Sequence, residues 1–264
     1  GTLDRALGEN VGLYAIGQGT LSAGSNYTLT YVGDNLTITP TTLTVTADPQ
    51  TKVYGALDPI FTYTANGFTN GDTATVFTGA LDRVTGENVG LYAIGQGTLS
   101  AGANYTLTYV ANNLDITAAP LTITANDDTR VYGAANPTFT ASYTGFVNGD
   151  TAASLTTPVI LGTTAVPTSP VGTYPITATG ATSSNYTITH VDGTLTVTIA
   201  PLTVTADPQT KVYGTLDPVL TYQITTGALA SGDSLVGTLD RVAGETVGLY
   251  AIGQGTLSAG ANYT

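Results

Sequence analysis

Apolar and polar residues alternate with a period of two over short stretches of this chain. In Leu43-Thr-Val-Thr every second residue is apolar, and Phe61-Thr-Tyr63-Thr and Tyr105-Thr-Leu107-Thr-Tyr109 obey the same rule. Such alternation marks a strand with one face in a core and the other in water. Within one stretch of the chain it predicts six strands, near 42–47, 51–54, 60–65, 75–83, 90–99 and 104–117. A turn at Ala111-Asn112-Asn113 breaks the last of them. Gly71-Asp-Thr-Ala-Thr-Val-Phe77 has room for one short helical turn, and no stretch carries the pattern of a long amphipathic helix. The fold class is therefore all-β. A unit with the helical turn points to a β-grasp-like fold; one without it points to an immunoglobulin-like sandwich.

The pattern recurs along the chain. Leu43-Thr-Val-Thr-Ala47 returns as Leu121-Thr-Ile-Thr-Ala125 and Leu202-Thr-Val-Thr-Ala206, and Val53-Tyr54-Gly55 returns at Val131 and Val212. Asn26-Tyr27-Thr28 returns at Asn104, Asn185 and Asn262. The spacing, 78 positions from Leu43 to Leu121 and 81 from Leu121 to Leu202, suits a small domain with its own core and is too long for one turn of a solenoid. The joints Thr39-Pro40-Thr41, Ala118-Ala119-Pro120 and Ile199-Ala200-Pro201 are short, and Pro stiffens them. Residues 42–119 are read as one complete repeat and 120–200 as a second, divergent one. Residues 1–41 are read as the back part of a repeat and 201–264 as the front part of another, within a longer array. Stiff joints between such units predict a tandem array forming an elongated rod.

Charge narrows the function. The chain of 264 residues carries only six Lys and Arg against 18 Asp and Glu, a net charge of −12. It cannot supply the basic patch that nucleic acid or anionic lipid requires. No apolar run approaches twenty residues, so no helical membrane insertion is expected from this segment. Cys, Met and Trp are absent, which excludes disulfides and thiolate chemistry and leaves little for oxidants to attack. Thr and 32 Gly take the place of the usual charged residues. Together these features suit an extracellular setting.

The whole motif set resembles the MBG repeat of bacterial surface proteins, in the variety marked by a Tyr-Gly signature. It runs Leu43-Thr-Val-Thr-Ala-Asp, Lys52-Val-Tyr-Gly, Asp58-Pro, Asn70-Gly-Asp72, Gly90-Leu-Tyr-Ala-Ile94, Asn104-Tyr-Thr and Leu114-Asp-Ile-Thr. The resemblance extends over essentially the full chain. It implies a segment of a long secreted adhesin or filamentous-haemagglutinin-like protein, at the cell surface. It brings no catalytic residue and identifies no receptor.

Several recurring groups invite a chemical reading. Gly17-Gln-Gly19 with Gly24 looks like a phosphate loop. It has no Lys, however, and it leads into a strand rather than a helix, so a hairpin between two strands is expected. Asp82, Arg83 and Glu87 recur as Asp4, Arg5, Glu9 and as Asp240, Arg241, Glu245. The corresponding Thr164, Ala165 and Ser169 lose all three charges together, as members of one ion cluster would. Lys52 and Lys211 could serve an internal Lys–Asn isopeptide bond, but Arg130 at the same place cannot, so exposure or a surface ion pair is expected. Asp48, Asp127, Asp128 and Asp207, with the turns Asn70-Gly-Asp72, Asn148-Gly-Asp150 and Ser231-Gly-Asp233, could offer Ca²⁺ at the joints; turn chemistry explains them more simply. Tyr54, Tyr132, Tyr213 and Tyr14, Tyr92, Tyr174, Tyr250 read as core residues with their hydroxyls at the rim. Asn26, Asn35, Asn104, Asn185 and Asn262 each begin an Asn-x-Thr sequon. His190 stands alone and has no partner for a metal or a triad.

No catalytic, cofactor-binding or metal residue is assigned, and the chain is expected not to be an enzyme and to need no cofactor. The leading expectation is a structural stalk or fibre that extends a binding tip, its partners being neighbouring repeats. The alternatives are a weak multivalent module for host or cell-surface glycan or protein, and a filament built by lateral self-association.

Overall fold

The computed structural model describes residues 1–264, and the chain divides into two compact units, residues 1–119 and 120–264. It is all-β; its only helical turns are 3₁₀ turns at Ala74–Val76 and Ala152–Ser154.

In the first unit, Thr41–Ala47 is the centre of a three-stranded sheet. It pairs antiparallel with Tyr63–Asn66 and parallel with Tyr105–Val110. A four-stranded sheet runs in the order Gln50–Val53, Asn112–Thr117, Gly90–Gly95, Asp82–Arg83, and its first pair is parallel. Residues Asp4–Arg5, Gly12–Gly17 and Asn35–Ile38 form a separate antiparallel sheet that repeats the back half of this scheme. The alternation read in the sequence sets the core. Leu43, Val45, Ile94, Leu114 and Ile116 are fully buried while the intervening Thr residues reach water.

The second unit repeats the plan. One sheet is ordered Ala141–Thr144, Ala119–Ala125, Tyr186–Val191, and the other Asp128–Val131, Gly193–Thr198, Gly172–Thr179, Ile160–Gly162. Ala125 of the first sheet packs with Ile176, Ala178 and Leu195 of the second, so the core lies between two sheets. Residues 201–264 carry the short pairs Thr203–Ala206 with Tyr222–Thr226 and Asp240–Arg241 with Ile252–Gly253.

The arrangement is a two-sheet sandwich. Its parallel pairs set it apart from the all-antiparallel immunoglobulin pattern. The expected helical turn exists, with Thr73 as its cap, but three residues cannot cover a sheet as a β-grasp helix must. That turn also replaces part of the strand expected at 75–83, of which Asp82–Arg83 pairs as a strand and Thr78 makes a single antiparallel bridge to Ser100. The strand expected at 90–99 ends at Gly95 because Gly97 turns the chain with φ +56°.

The hairpin expected at the glycine stretch is not formed. Gly90–Gly95 and Tyr105–Val110 lie in different sheets, and the chain between them arches from one to the other. Side chains hold the arch. Gln96 Nε2 donates to the Leu99 carbonyl (2.9 Å), and a Cβ on Gly97 would lie 2.5 Å from the Ala80 carbonyl oxygen. The glycines answer to close backbone approach, not to an anion.

Candidate functional site

The recurring polar residues converge on three places, and each place is occupied by the protein's own groups. The first is a ring of four charges. Lys52 leaves the strand Gln50–Val53 pointing inward, with its side chain only 4 % exposed. Its Nζ donates to Asp58 Oδ1 (2.7 Å) and Glu87 Oε2 (2.6 Å). Arg83 closes the ring, donating to Asp58 through Nε (2.6 Å) and Nη2 (3.0 Å) and to Glu87. The guanidinium also lies over the Tyr92 ring, 5.4 Å from its centroid. Burial opposes the Lys52 ammonium, but the hydrogen bonds to Asp58 and Glu87 outweigh it and hold its pKa above the ordinary value. The Arg83 hydrogen bonds hold the Asp58 carboxyl below its ordinary range, and Lys52 does the same for Glu87.

Lys211, Asp217, Arg241 and Glu245 build the same ring with Tyr250 beneath it. Between these two repeats, Arg130 takes the place of the Lys and bonds neutral acceptors instead: Asn136 Oδ1 (2.8 Å) and the Val166 and Pro167 carbonyls. The sequence therefore identified the cluster but mistook its membership. Asp58 belongs to the ring and Asp82 does not, because Asp58 lies 25 positions from Arg83 and only the fold brings them together. Lys52, expected at the surface, is buried. Its amine is ion-paired to two carboxylates, and the Arg83 fork keeps Asp58 ionised. That environment favours a salt bridge over an amide bond, which needs a neutral amine and a protonated acid.

The second place is a tyrosine pin. Tyr105 Oη donates to Asp72 Oδ2 (2.7 Å) and accepts from the Thr69 amide (3.2 Å). Tyr186 with Asp150 and Val147, and Tyr263 with Asp233 and Ala230, repeat the arrangement. The Asp of each Gly-Asp turn thus serves a phenol. Asp48 accepts from Thr62 and Asp127 from the Thr194 amide, and no group of three or more acidic or imidazole side chains is assembled in a way that could hold a metal ion. The other Tyr series also bonds locally. Tyr14, Tyr92, Tyr174 and Tyr250 are half-buried, and each hydroxyl donates to the carbonyl four positions earlier. Tyr92 packs so closely on Gly86, where φ is +149°, that a Cβ there would come within 2.1 Å of the ring.

The third place is a clasp between sequence repeats. The Asn104 side chain accepts from the Val11 amide (2.9 Å) and donates to Asn10 Oδ1 (2.9 Å), while its carbonyl accepts from Thr41 (3.1 Å). Asn262 does the same for the Val171 amide (3.0 Å) and the Ala200 amide (2.9 Å). Tyr132 joins the second clasp: its ring meets the Tyr263 ring edge-on at 5.4 Å, in a cluster with Val197, Ala200 and Ala230. The Asp233 carboxylate, hydrogen-bonded to it, raises the Tyr132 phenol pKa. Tyr54 and Tyr132 are buried as expected, but Tyr213 is 73 % exposed. Sequence reading missed the clasp, because the partners of Asn104 and Asn262 lie about ninety positions away. Asn-x-Thr spacing is compatible with a glycan acceptor, but Asn104 already uses both its side-chain oxygen and its nitrogen.

The lone His190 occupies the place held by Tyr31 and Tyr109. Those hydroxyls donate to the Ile16 and Ile94 carbonyls (2.8 and 3.0 Å), whereas His190 Nε2 is buried without a hydrogen-bond partner.

None of the curated proteins compared with the chain matches it. A family model described as MBG domain (YGX type) matches residues 1–37, 43–115, 121–196 and 202–264. Such repeats are typical of surface and secreted proteins. The Tyr and Gly of the signature are Tyr54-Gly55, Tyr132-Gly133 and Tyr213-Gly214, and with nearly the whole length matched in four tandem segments the chain belongs to the MBG domain (YGX type) family.

Proposed function

We propose that this array is a passive structural segment, a stalk or fibre of a large bacterial surface or secreted adhesin, which extends a binding tip and does no catalysis itself. The observation that carries this reading is the use to which the recurring side chains are put. The ring of charges, the tyrosine pin and the asparagine clasp all bond their own chain. The clasp of Asn104 and of Asn262 joins consecutive sequence repeats. A repeated binding module would instead present such groups to solvent on every repeat. Load on a stalk is carried by strand pairing and by the joints. Parallel pairs such as Thr41–Ala47 with Tyr105–Val110 span a whole repeat in sequence, so that pulling must shear many bonds together.

Single-molecule extension tests the reading. The complete repeats 42–119 and 120–200 should each give a discrete unfolding event, releasing about 27 nm for roughly 78 residues at about 3.5 Å each. Extension without force peaks would refute a load-bearing role. Immunogold labelling of intact cells should place the segment outside the membrane; labelling only after lysis would refute the extracellular assignment.

A further inference from the structure

In both complete repeats the same strand forms an edge of the three-stranded sheet, Tyr105–Val110 in the second and Tyr186–Val191 in the third. The open edge is thus a feature of the repeat itself. Tyr105–Val110 pairs on one side, with Thr41–Ala47. Burial follows the pairing. Leu107 and Tyr109 face the core beside their register partners Leu43 and Val45, yet they are half-buried where Leu43 and Val45 are 0 % exposed. The Thr41 amide donates to the Asn104 carbonyl, and alternate residues of a parallel strand turn their main chain to the partner. Thr106 and Thr108 therefore direct their amides and carbonyls to Thr41–Ala47, while Tyr105, Leu107 and Tyr109 direct theirs outward.

The other edges of the second repeat are blunted. Gln50–Val53 carries Lys52 pointing inward, Asp82–Arg83 is two residues long, and Tyr63–Asn66 is four residues long and ends at Gly67, where φ is +108°. Inward charge and short length are common means of keeping sheet edges apart. Tyr105–Val110 has neither. Its six residues are Tyr, Thr, Leu and Val, without a charge, a Pro or a Gly. Its sequence is also a palindrome, Tyr105-Thr-Leu107-Thr-Tyr109.

We infer that Tyr105–Val110 is a homodimer surface, at which the second repeats of two copies of this chain pair antiparallel about a two-fold axis through Leu107. A two-fold axis reverses residue order, so a palindromic strand is its own complement. Leu107 faces Leu107 of the partner subunit, and Tyr105 faces Tyr109 of the partner subunit. These are the residues whose main-chain groups point outward, and the register gives about six inter-chain bonds. On the solvent face Thr106 stands opposite Thr108 of the partner subunit, a favourable cross-strand pair. On the core face the added strand covers the open flanks of Leu107 and Tyr109. Each copy carries a net charge of −12, so an uncharged strand is where two copies approach at low electrostatic cost. The pairing does not rest on the array's serving as a stalk.

Sedimentation of the 264-residue chain over a range of concentrations should show a monomer–dimer equilibrium that added salt shifts toward the dimer by screening the repulsion. Thr106 and Thr108 are exposed, so Thr106→Lys with Thr108→Lys should leave thermal unfolding unchanged. It sets like charges opposite one another and should abolish the dimer, although it reduces the net charge of each copy. Thr106→Glu with Thr108→Glu should also be monomeric alone, and mixing the two variants should restore a dimer. Thr187→Lys with Thr189→Lys makes the same charge change on the exposed face of the third repeat's edge strand and should leave the dimer in place. A chain that stays monomeric at every concentration would overturn the inference. So would a dimer that survives Thr106→Lys with Thr108→Lys, a mixture that stays monomeric, or a dimer lost with Thr187→Lys and Thr189→Lys.

Discussion

The ring of charges gives the sharpest test, because one sequence builds it twice at different burial. In the second repeat, Asp58 receives three hydrogen bonds, one from Lys52 and two from Arg83. Asp58→Ala leaves the Lys52 ammonium, 4 % exposed, with Glu87 as its only partner, and that carboxylate is 56 % exposed. Hydrogen bonds to charged groups contribute about 1.5–3 kcal/mol each when buried. Asp58 is itself 34 % exposed, so water recovers part of the loss and a net cost of about 2 kcal/mol is expected. For a domain of this size that lowers the melting temperature by about 10 °C. Asp217→Ala removes the same contacts in the fourth repeat, where Lys211 is 22 % and Asp217 44 % exposed, and should cost less. Calorimetry reads the size of each effect. Hydrogen exchange at the amides of 50–54 and of 209–213 assigns it to a repeat. Adding Lys52→Met to Asp58→Ala should recover part of the loss, since the stranded ammonium disappears. Equal costs in the two repeats, or no recovery in the double variant, would refute the argument that burial of Lys52 sets the magnitude.

Acid should separate the repeats. Asp58, Glu87 and Glu245 are held below their ordinary pKa, and Asp217 is lowered to about 2, chiefly by the Arg241 hydrogen bonds. A depressed carboxyl stabilises the fold above its unfolded pKa of about 4 and loses that contribution as pH falls through the folded value. The second and fourth repeats should therefore weaken below about pH 4, while the Arg130 cluster, which uses neutral acceptors, should not; pH-resolved hydrogen exchange would show it. His190→Tyr should stabilise the third repeat by about 1 kcal/mol, because the phenol supplies the carbonyl bond that Tyr31 and Tyr109 make; a thermal melt shows the sign. Asn104→Ala should open the side-chain half of the first clasp at a cost of about 1–2 kcal/mol, with faster exchange at the Val11 amide and unchanged exchange at Thr41, whose acceptor is the retained backbone carbonyl, and at Ile94.

Local pattern reached far into this protein. Alternation in Leu43-Thr-Val-Thr and Tyr105-Thr-Leu107-Thr placed strands and named core residues, because a strand turns every second side chain to one face whatever lies beyond it. Self-similarity disclosed the repeat, and joint loss of charges disclosed an ion cluster. Direction and partnership were another matter. Whether Gly90–Gly95 pairs with Tyr105–Val110 or arches away from it depends on which sheet offers hydrogen bonds. That is decided by Asn104 and Tyr105 binding Thr41, Thr69 and Asp72. The same holds for Asp58 in place of Asp82, for the burial of Lys52, and for an Asn-x-Thr that clasps a neighbouring repeat. Strand alternation is a short-range property and is written along the chain. Hydrogen-bond and ion-pair partners are chosen by proximity in three dimensions, and tertiary structure alone supplies it.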